Sequence, residues 1–388
     1  MIFLWGLFTA TATTGSARAE GACAEESPPD PEEEGDWEPH LNLQADYEWD
    51  SNIRRTPKTV GGAIPDTLLR LFTEAGIRYG AQDRLSFGLD YEGGLKRYLE
   101  NPDSNLTIHL ITPQASWADA AEAVGIYFPV KIKSTQSRQG EYLILSPSAN
   151  WMHGWNARWT ASLGGSWQSI DLRNRIAPSG APEFTRFLEE ISNRQYDSQA
   201  WIAETGLIRR FSEDRFLQVE YAQEWRRYPD FVLRPKTAEP GNDTLGFGSR
   251  NDRASRLKIS GEFFDEGLQC LWRGQVLYTH SDSSLPGYGY EDVRVGLHGA
   301  APLVSSLYLT VAGQLDWRRY DVSNSQQIDF NLREYLWSER ESDQLSSVSI
   351  QLAWQATPLI SLESRFHYDF QSHYYRRTVI DAGLAAQF

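Results

Sequence analysis

The chain has 388 residues, a net charge of −15, only two cysteines and two methionines, and 14 Trp, 18 Tyr and 17 Phe. Cys23 and Cys270 are too few for a disulfide scaffold or a thiolate metal site, no His/Cys metal spacing or glycine-rich phosphate loop occurs, and no cofactor is implied. The acidic balance argues against nucleic acid as a partner, and past the first ten residues no run approaches the roughly 20 apolar residues of a membrane-spanning helix.

Met1 to Ala10 (MIFLWGLFTA) is an apolar run, and Ala17-Arg18-Ala19 follows after small and hydroxylated residues. That order predicts a signal peptide over residues 1–19, cleaved before Glu20. Lipidation of Cys23 is the alternative, but Glu20 stands where that signal has an aliphatic residue. Glu20 to Asp36 carries eight acidic residues and no basic one, with prolines in ESPPDPEEEGD. Such a stretch cannot bury a core, so residues 20–36 are expected to be a disordered periplasmic leader.

From Trp37 to Phe388 the period is two. Leu41, Leu43, Ala45, Tyr47 and Trp49 alternate with Asn42, Gln44, Asp46, Glu48 and Asp50. Leu217, Val219 and Tyr221 alternate in the same way with Gln218, Glu220 and Glu224, and Leu362, Phe366, Tyr368 and Phe370 with Glu363, Arg365, His367 and Asp369. Soluble sandwich strands usually run about 5–6 residues. These runs are about 12–16, enough to cross a bilayer at a barrel's tilt.

The predicted strands are 37–54, 67–80, 83–98, 106–118, 122–135, 140–153, 156–172, 196–211, 214–228, 250–264, 267–281, 288–300, 304–320, 342–355, 359–372 and 374–388. Tight joints alternate with long ones, notably 173–195, 229–249 and 321–341; the outer joints near Gln136 and His373 are short exceptions. The expectation is an all-β, transmembrane, antiparallel up-and-down β-barrel of about sixteen strands, both termini periplasmic, in the outer membrane of a Gram-negative bacterium. The strands carrying Pro113, Pro129 and Pro147 fit least well, because proline removes a ladder donor. Aromatic belts are expected at both rims: Trp37, Tyr79, Trp117, Trp151, Trp354 and Phe388 on the periplasmic side, and Trp49, Tyr98, Trp167, Trp225, Tyr278, Trp317 and Tyr368 on the outer side.

The final stretch, TVIDAGLAAQF, ends in Phe388 with apolar residues at alternate positions before it. It resembles the C-terminal signature by which outer-membrane barrels are recognised, which implies Phe388 as an assembly signal and barrel-assembly machinery and outer-membrane lipid as partners. The first strand, ADYEWDSNIRRTP from Ala45 to Pro57, resembles the opening strand of porin-type β-barrels associated with exopolysaccharide export. Asp50-Ser51-Asn52 carries that match. A similar Asp-Ser-Asn stretch occurs in barrels that help surface lipoproteins reach the cell exterior, but those have helical repeats before the barrel, which this sequence lacks. The resemblance implies polysaccharide export with a periplasmic partner, and the acidic leader is a plausible contact for one.

The strand phase predicts which side chains line the lumen: Asp46, Glu48, Asp50, Asn52, Arg70, Glu74, Arg78, Glu220, Glu224, Arg256, Lys258, Arg294, Asp316, Arg318, Arg365, His367 and Asp369. It adds Gln44, Asp90, Glu92, Lys131, Lys133, Arg158, Glu204, Arg226, Glu262, Arg273, His298, Glu363, Arg377 and Asp381. Both signs interleave, which suits either a salt-bridged brace or a polar track for hydrated solutes. In the loop at 321–341, Phe330, Tyr335 and Trp337 among charges suit sugar stacking, and suit ordinary loop packing better. No spacing assembles a nucleophile, base and orienting group, so no enzyme is expected. The expected function is an outer-membrane conduit for a polysaccharide or other hydrated polymer. Its alternatives are a general diffusion porin and a non-conducting barrel anchoring a trans-envelope complex.

Overall fold

A computed structural model describes residues 36–52, 64–80, 85–136, 141–172, 197–212, 214–233, 246–267, 269–284, 288–320, 342–371 and 375–387. The signal, the leader up to residue 35, Cys23, Phe388, and the loop aromatics Phe330, Tyr335 and Trp337 lie outside them, while Asp36, expected in the leader, opens the first strand. The strands are β1 (Asp36–Asp50), β2 (Asp66–Gly80), β3 (Leu85–Tyr98), β4 (Leu106–Ala118), β5 in two halves (Glu122–Tyr127 and Val130–Thr135) and β6 in two halves (Tyr142–Leu145 and Ser148–Asn156). They continue with β7 (Trp159–Leu172), β8 (Ser198–Ser212), β9 (Arg215–Leu233), β10 (Gly246–Asp265), β11 (Cys270–Ser283) and β12 (Tyr290–Val304). The last four are β13 (Leu307–Tyr320), β14 (Ser342–Gln355), β15 (Ile360–Gln371) and β16 (Tyr375–Gln387).

Two proline breaks are the only reason there are more segments than strands. Val130 lies opposite Leu145 and Tyr127 opposite Ser148, so the register is the same on both sides of Pro129. The same holds across Pro147, with Leu145 opposite Ser169 and Ser148 opposite Ser166. No residue is inserted; ladder bonds are lost because proline has no N–H. The wall therefore has sixteen strands. Each is antiparallel to the next, and β1 pairs with β16 from Asn42 opposite Gln387 to Asp50 opposite Val379. The sheet closes on itself. A closed sheet has no unpaired edge, which lets strand backbone stand in hydrocarbon.

Strand lengths run from 12 residues in β15 to 20 in β10, beyond the roughly 9–11 that span a bilayer. β9 and β10 extend past their predicted ends, pairing out to Leu233 opposite Gly246 after a bulge between Tyr228 and Phe231. The bulge falls at Pro229, inside the stretch 229–249 expected as a joint.

The burial pattern is the inverse of a soluble protein's. On β1, Tyr47 and Trp49 are 56% and 39% exposed, while Asp46, Glu48 and Asp50 on the other face are 4%, 2% and 1% exposed. Val219, Ile259, Val276, Val295, Val311, Ile350 and Phe366 continue the exposed apolar face around the wall. In a closed barrel the crowded face is the inner one, so charge points inward and hydrocarbon outward. At the end holding the strand termini, Trp37, Tyr79, Trp117, Trp151 and Trp354 stand outward, with the Trp37 and Tyr79 rings 4.8 Å apart. At the opposite end Trp49, Trp225, Tyr278 and Trp317 do the same, and Trp201 lies opposite both Trp167 and Trp225. Tyr98 leaves this outer belt. It shares the inward phase of Lys96, which reaches Glu48, because β3 places even-numbered residues inside.

Candidate functional site

The inner face of the wall is the candidate site, and neighbouring strands assemble it by register. From β9 through the closing seam to β3, carboxylates and cations meet in chains. On β9 and β10, Glu224 accepts from Arg226 at 2.6 Å and also from Arg256, and Lys258 lies 2.6 Å from Glu220. Arg226 reaches on to Ser198 of β8 at 3.0 Å and Gln168 of β7 at 2.8 Å. On β12 and β13, Arg294 donates twice to Asp316, at 2.6 and 3.0 Å, and Arg318 lies 3.3 Å from Asp292 with its guanidinium 4.4 Å from the centre of the Tyr290 ring.

The seam carries the most buried part. Asp50 of β1 takes Arg377 of β16 in a forked contact, 2.6 Å at Nη2 and 3.0 Å at Nε. Arg377 also touches Asp369 of β15 at 3.4 Å, and Asp369 meets His367 Nε2 at 2.7 Å. Two residues along, Glu48 binds Lys96 at 3.0 Å with Arg70 at 3.8 Å, and four residues along, Asp46 binds Arg70 at 2.6 Å. Asp381 binds Arg365 at 2.7 Å. Asp46 lies flat against β16 because residue 383, directly opposite, is glycine; a Cβ there would overlap the Asp46 carboxylate and the Ala45 carbonyl.

Asp50-Ser51-Asn52 is part of this seam. The Ser51 N–H donates to Thr378 O at 2.9 Å, Ser51 Oγ accepts the Thr378 N–H at 2.7 Å, and Asp50 Oδ1 accepts the Asn52 N–H at 2.9 Å. The triplet ties the end of the first strand to the last.

Among the remaining predicted positions, Arg78 stands 3.7 Å from Asp90 and Arg273 pairs with Glu262. Glu74 lies opposite Glu92 and Asn42. Arg158 sits in the β6–β7 turn rather than on the wall. The sequence reading missed Asp66, Lys96, Arg250, Asp252 and Asp292. Parity would have found Lys96 and Asp292, which share their strand's phase with Glu92 and Arg294.

What this arrangement does chemically is hold fixed, mutually paired charges of both signs along the inner face of the wall. Barrels of about this strand number are wide enough for an aqueous interior. Among the described residues no group of three or more His, Cys, Asp or Glu side chains could hold a metal ion.

No protein-family profile matches the chain, and no curated protein matches it in sequence. Among solved structures, a loop-deleted form of OmpT, an outer membrane protein of Vibrio cholerae, is similar at 10% identity over 92% of this chain and 100% of its own, with a TM-score of 0.49. A bacterial polysaccharide outer membrane secretin is similar at 8% identity over 90% of this chain and 98% of its own, TM-score 0.45. OpdQ of Pseudomonas aeruginosa is similar at 10% identity over 91% and 97%, TM-score 0.44.

Proposed function

We propose that the protein is an outer-membrane conduit that passes a polysaccharide or other hydrated polymer, working with a periplasmic partner. The single observation that carries this reading is the inner wall: a closed ring of sixteen strands lined by interleaved, ion-paired charges. Such a lining keeps water against the wall without a strong field of one sign, so a neutral or weakly charged chain of sugars can slide along it. The apolar outer face and two aromatic belts support a barrel seated in a bilayer. The side with tight turns, where β1 begins and β16 ends, faces the periplasm in this reading, and the acidic leader meets the partner there.

The test is ionic current through the purified protein in planar bilayers, alone and with periplasmic fractions added. A conduit that needs its partner stays closed alone and opens with it, and deleting its gene removes surface polymer. Steady current from the protein alone, with surface polymer intact after deletion, would make it a general diffusion porin. Absence of current under both conditions, with a stoichiometric partner copurifying, would make it an anchoring barrel.

A further inference from the structure

A cation, an arginine and a tyrosine stand in a row three times in the chain: Lys96-Arg97-Tyr98, Arg226-Arg227-Tyr228 and Arg318-Arg319-Tyr320. β3 and β13 end on the triplet, and β9 carries it just before its bulge. Alternation sends the first cation inward, where Lys96 meets Glu48, Arg226 meets Glu224 and Arg318 meets Asp292. It sends the middle arginine out onto the apolar side of the wall. Arg253 and Arg376 join Arg97, Arg227 and Arg319 on that side, and all five are exposed. Arg227 and Arg319 stand two residues beyond the belt residues Trp225 and Trp317, about 7 Å further along the strand. Arg253 lies directly opposite Trp225, and Arg376 opposite Phe370.

Among the described residues none of these five arginines has an ion pair, although two carboxylates face them across the sheet. Asp282 lies opposite Arg253 and Glu291 opposite Arg319, yet both carboxylates turn to His280, at 3.3 and 3.8 Å. Arg227 and Arg253 are diagonal neighbours on β9 and β10, about 7–8 Å apart at Cα, so two like charges flank Trp225 with no anion between them. The distribution is one-sided. At the tight-turn end the outward arginines described are Arg209 and Arg215, and the Arg209 guanidinium lies over the Trp159 and Phe211 rings. It is also selective for residue type, because the described lysines, Lys96, Lys131, Lys133 and Lys258, all share the lumen phase. A guanidinium offers a planar fork that takes two oxygens of one phosphate, which an ammonium does not. We propose that the outward arginines, with Arg227 and Arg253 beside Trp225 as the principal site, bind phosphate groups of lipid headgroups in the outer leaflet. The acyl chains of such a lipid then lie on the apolar wall below the belt. The proposal concerns the outside of the wall and holds whether or not the lumen conducts.

The experiment is a binding titration of the folded, detergent-solubilised protein with lipid A, a diphosphorylated glycolipid, and with the same glycolipid stripped of its phosphates. Wild type should bind lipid A at least about tenfold more tightly than the phosphate-free form, and R227Q/R253Q should lose about tenfold in lipid A affinity. Arg209→Gln, at the opposite rim, should bind like wild type. The substituted side chains are exposed and unpaired, so the variants should fold, which circular dichroism checks. R253Q alone serves if the double variant does not fold, and its affinity should fall in the same direction. The idea is overturned if wild type does not bind lipid A, if the phosphate-free form binds as tightly, or if the glutamine variants bind like wild type. It is equally overturned if Arg209→Gln loses as much as R227Q/R253Q. Displacement of lipid A by millimolar inorganic phosphate would make this a site for free phosphate and overturn the lipid assignment.

Discussion

Asp50 is almost fully buried, and its carboxylate holds Arg377, Asn52 and, through its neighbour Ser51, the backbone of Thr378. Removing one member of a buried pair leaves the other charge stranded, which typically costs about 3–5 kcal/mol. Asp50→Ala should therefore lower stability by about 3 kcal/mol, softened by the second Arg377 contact to Asp369, while Arg273→Ala, at a 60% exposed arginine, should cost under about 1 kcal/mol. Urea unfolding from lipid vesicles reads both, and equal losses would deny the seam its role. On the opposite face, Val219→Arg should cost about 2–4 kcal/mol and replacement of its lumen-facing neighbour Gln218 far less. Comparable losses from those two variants would mean the strand phase is wrong. Parity made this contrast legible in the sequence. The partner of each charge was not, because Asp50 and Arg377 are 327 residues apart and only closure between the first and last strands brings them together.

At the scale of the element, proline position matters more than proline presence. Pro113 sits within an unbroken β4 and accepts the Phe128 N–H at 2.9 Å, Pro129 accepts from Ser146 at 3.0 Å, and Pro147 from Trp167 at 3.0 Å. Each of these close pairs should exchange two hydrogen bonds and retains one. The three gaps fall in two adjacent rows across β4 to β7. Amide exchange should accordingly be faster in β5 and β6 than in the uninterrupted β10 and β11, and equal protection would show that the missing donors carry no weight. The sequence marked these strands as poor fits, but their constant register needed the structure. Nothing in composition alone distinguishes a proline that breaks a strand from one that only thins its ladder. In the β4–β5 turn, Asp119 accepts the N–H groups of Ala121 and Glu122 at 2.8 and 2.7 Å, which hold its carboxyl below the usual carboxylate range. A depressed carboxyl stabilises above its unfolded value and loses that contribution as pH falls through the folded one. Asp119→Ala should thus differ from wild type at neutral pH and converge with it in acid, as followed by thermal unfolding against pH.

For the whole molecule, the account comes down to two solvents separated by one layer of backbone. Strand number, the alternation of tight and long joints and the sense of each face were all readable from period and spacing. Lys131 and Lys133 on β5 were legible as lumen residues, whereas the leucine, isoleucine and tyrosine beside them came only from register. The direct measurement is spin-label accessibility at consecutive positions 216 to 226 of β9 in lipid vesicles, using oxygen as the apolar probe and a nickel chelate as the aqueous one. Oxygen collisions should peak at Leu217, Val219 and Tyr221 and chelate collisions at Gln218, Glu220 and Glu224, in opposite phase with a period of two. Parallel profiles for the two probes, or chelate reaching both faces alike, would contradict a wall with oil on one side and water on the other.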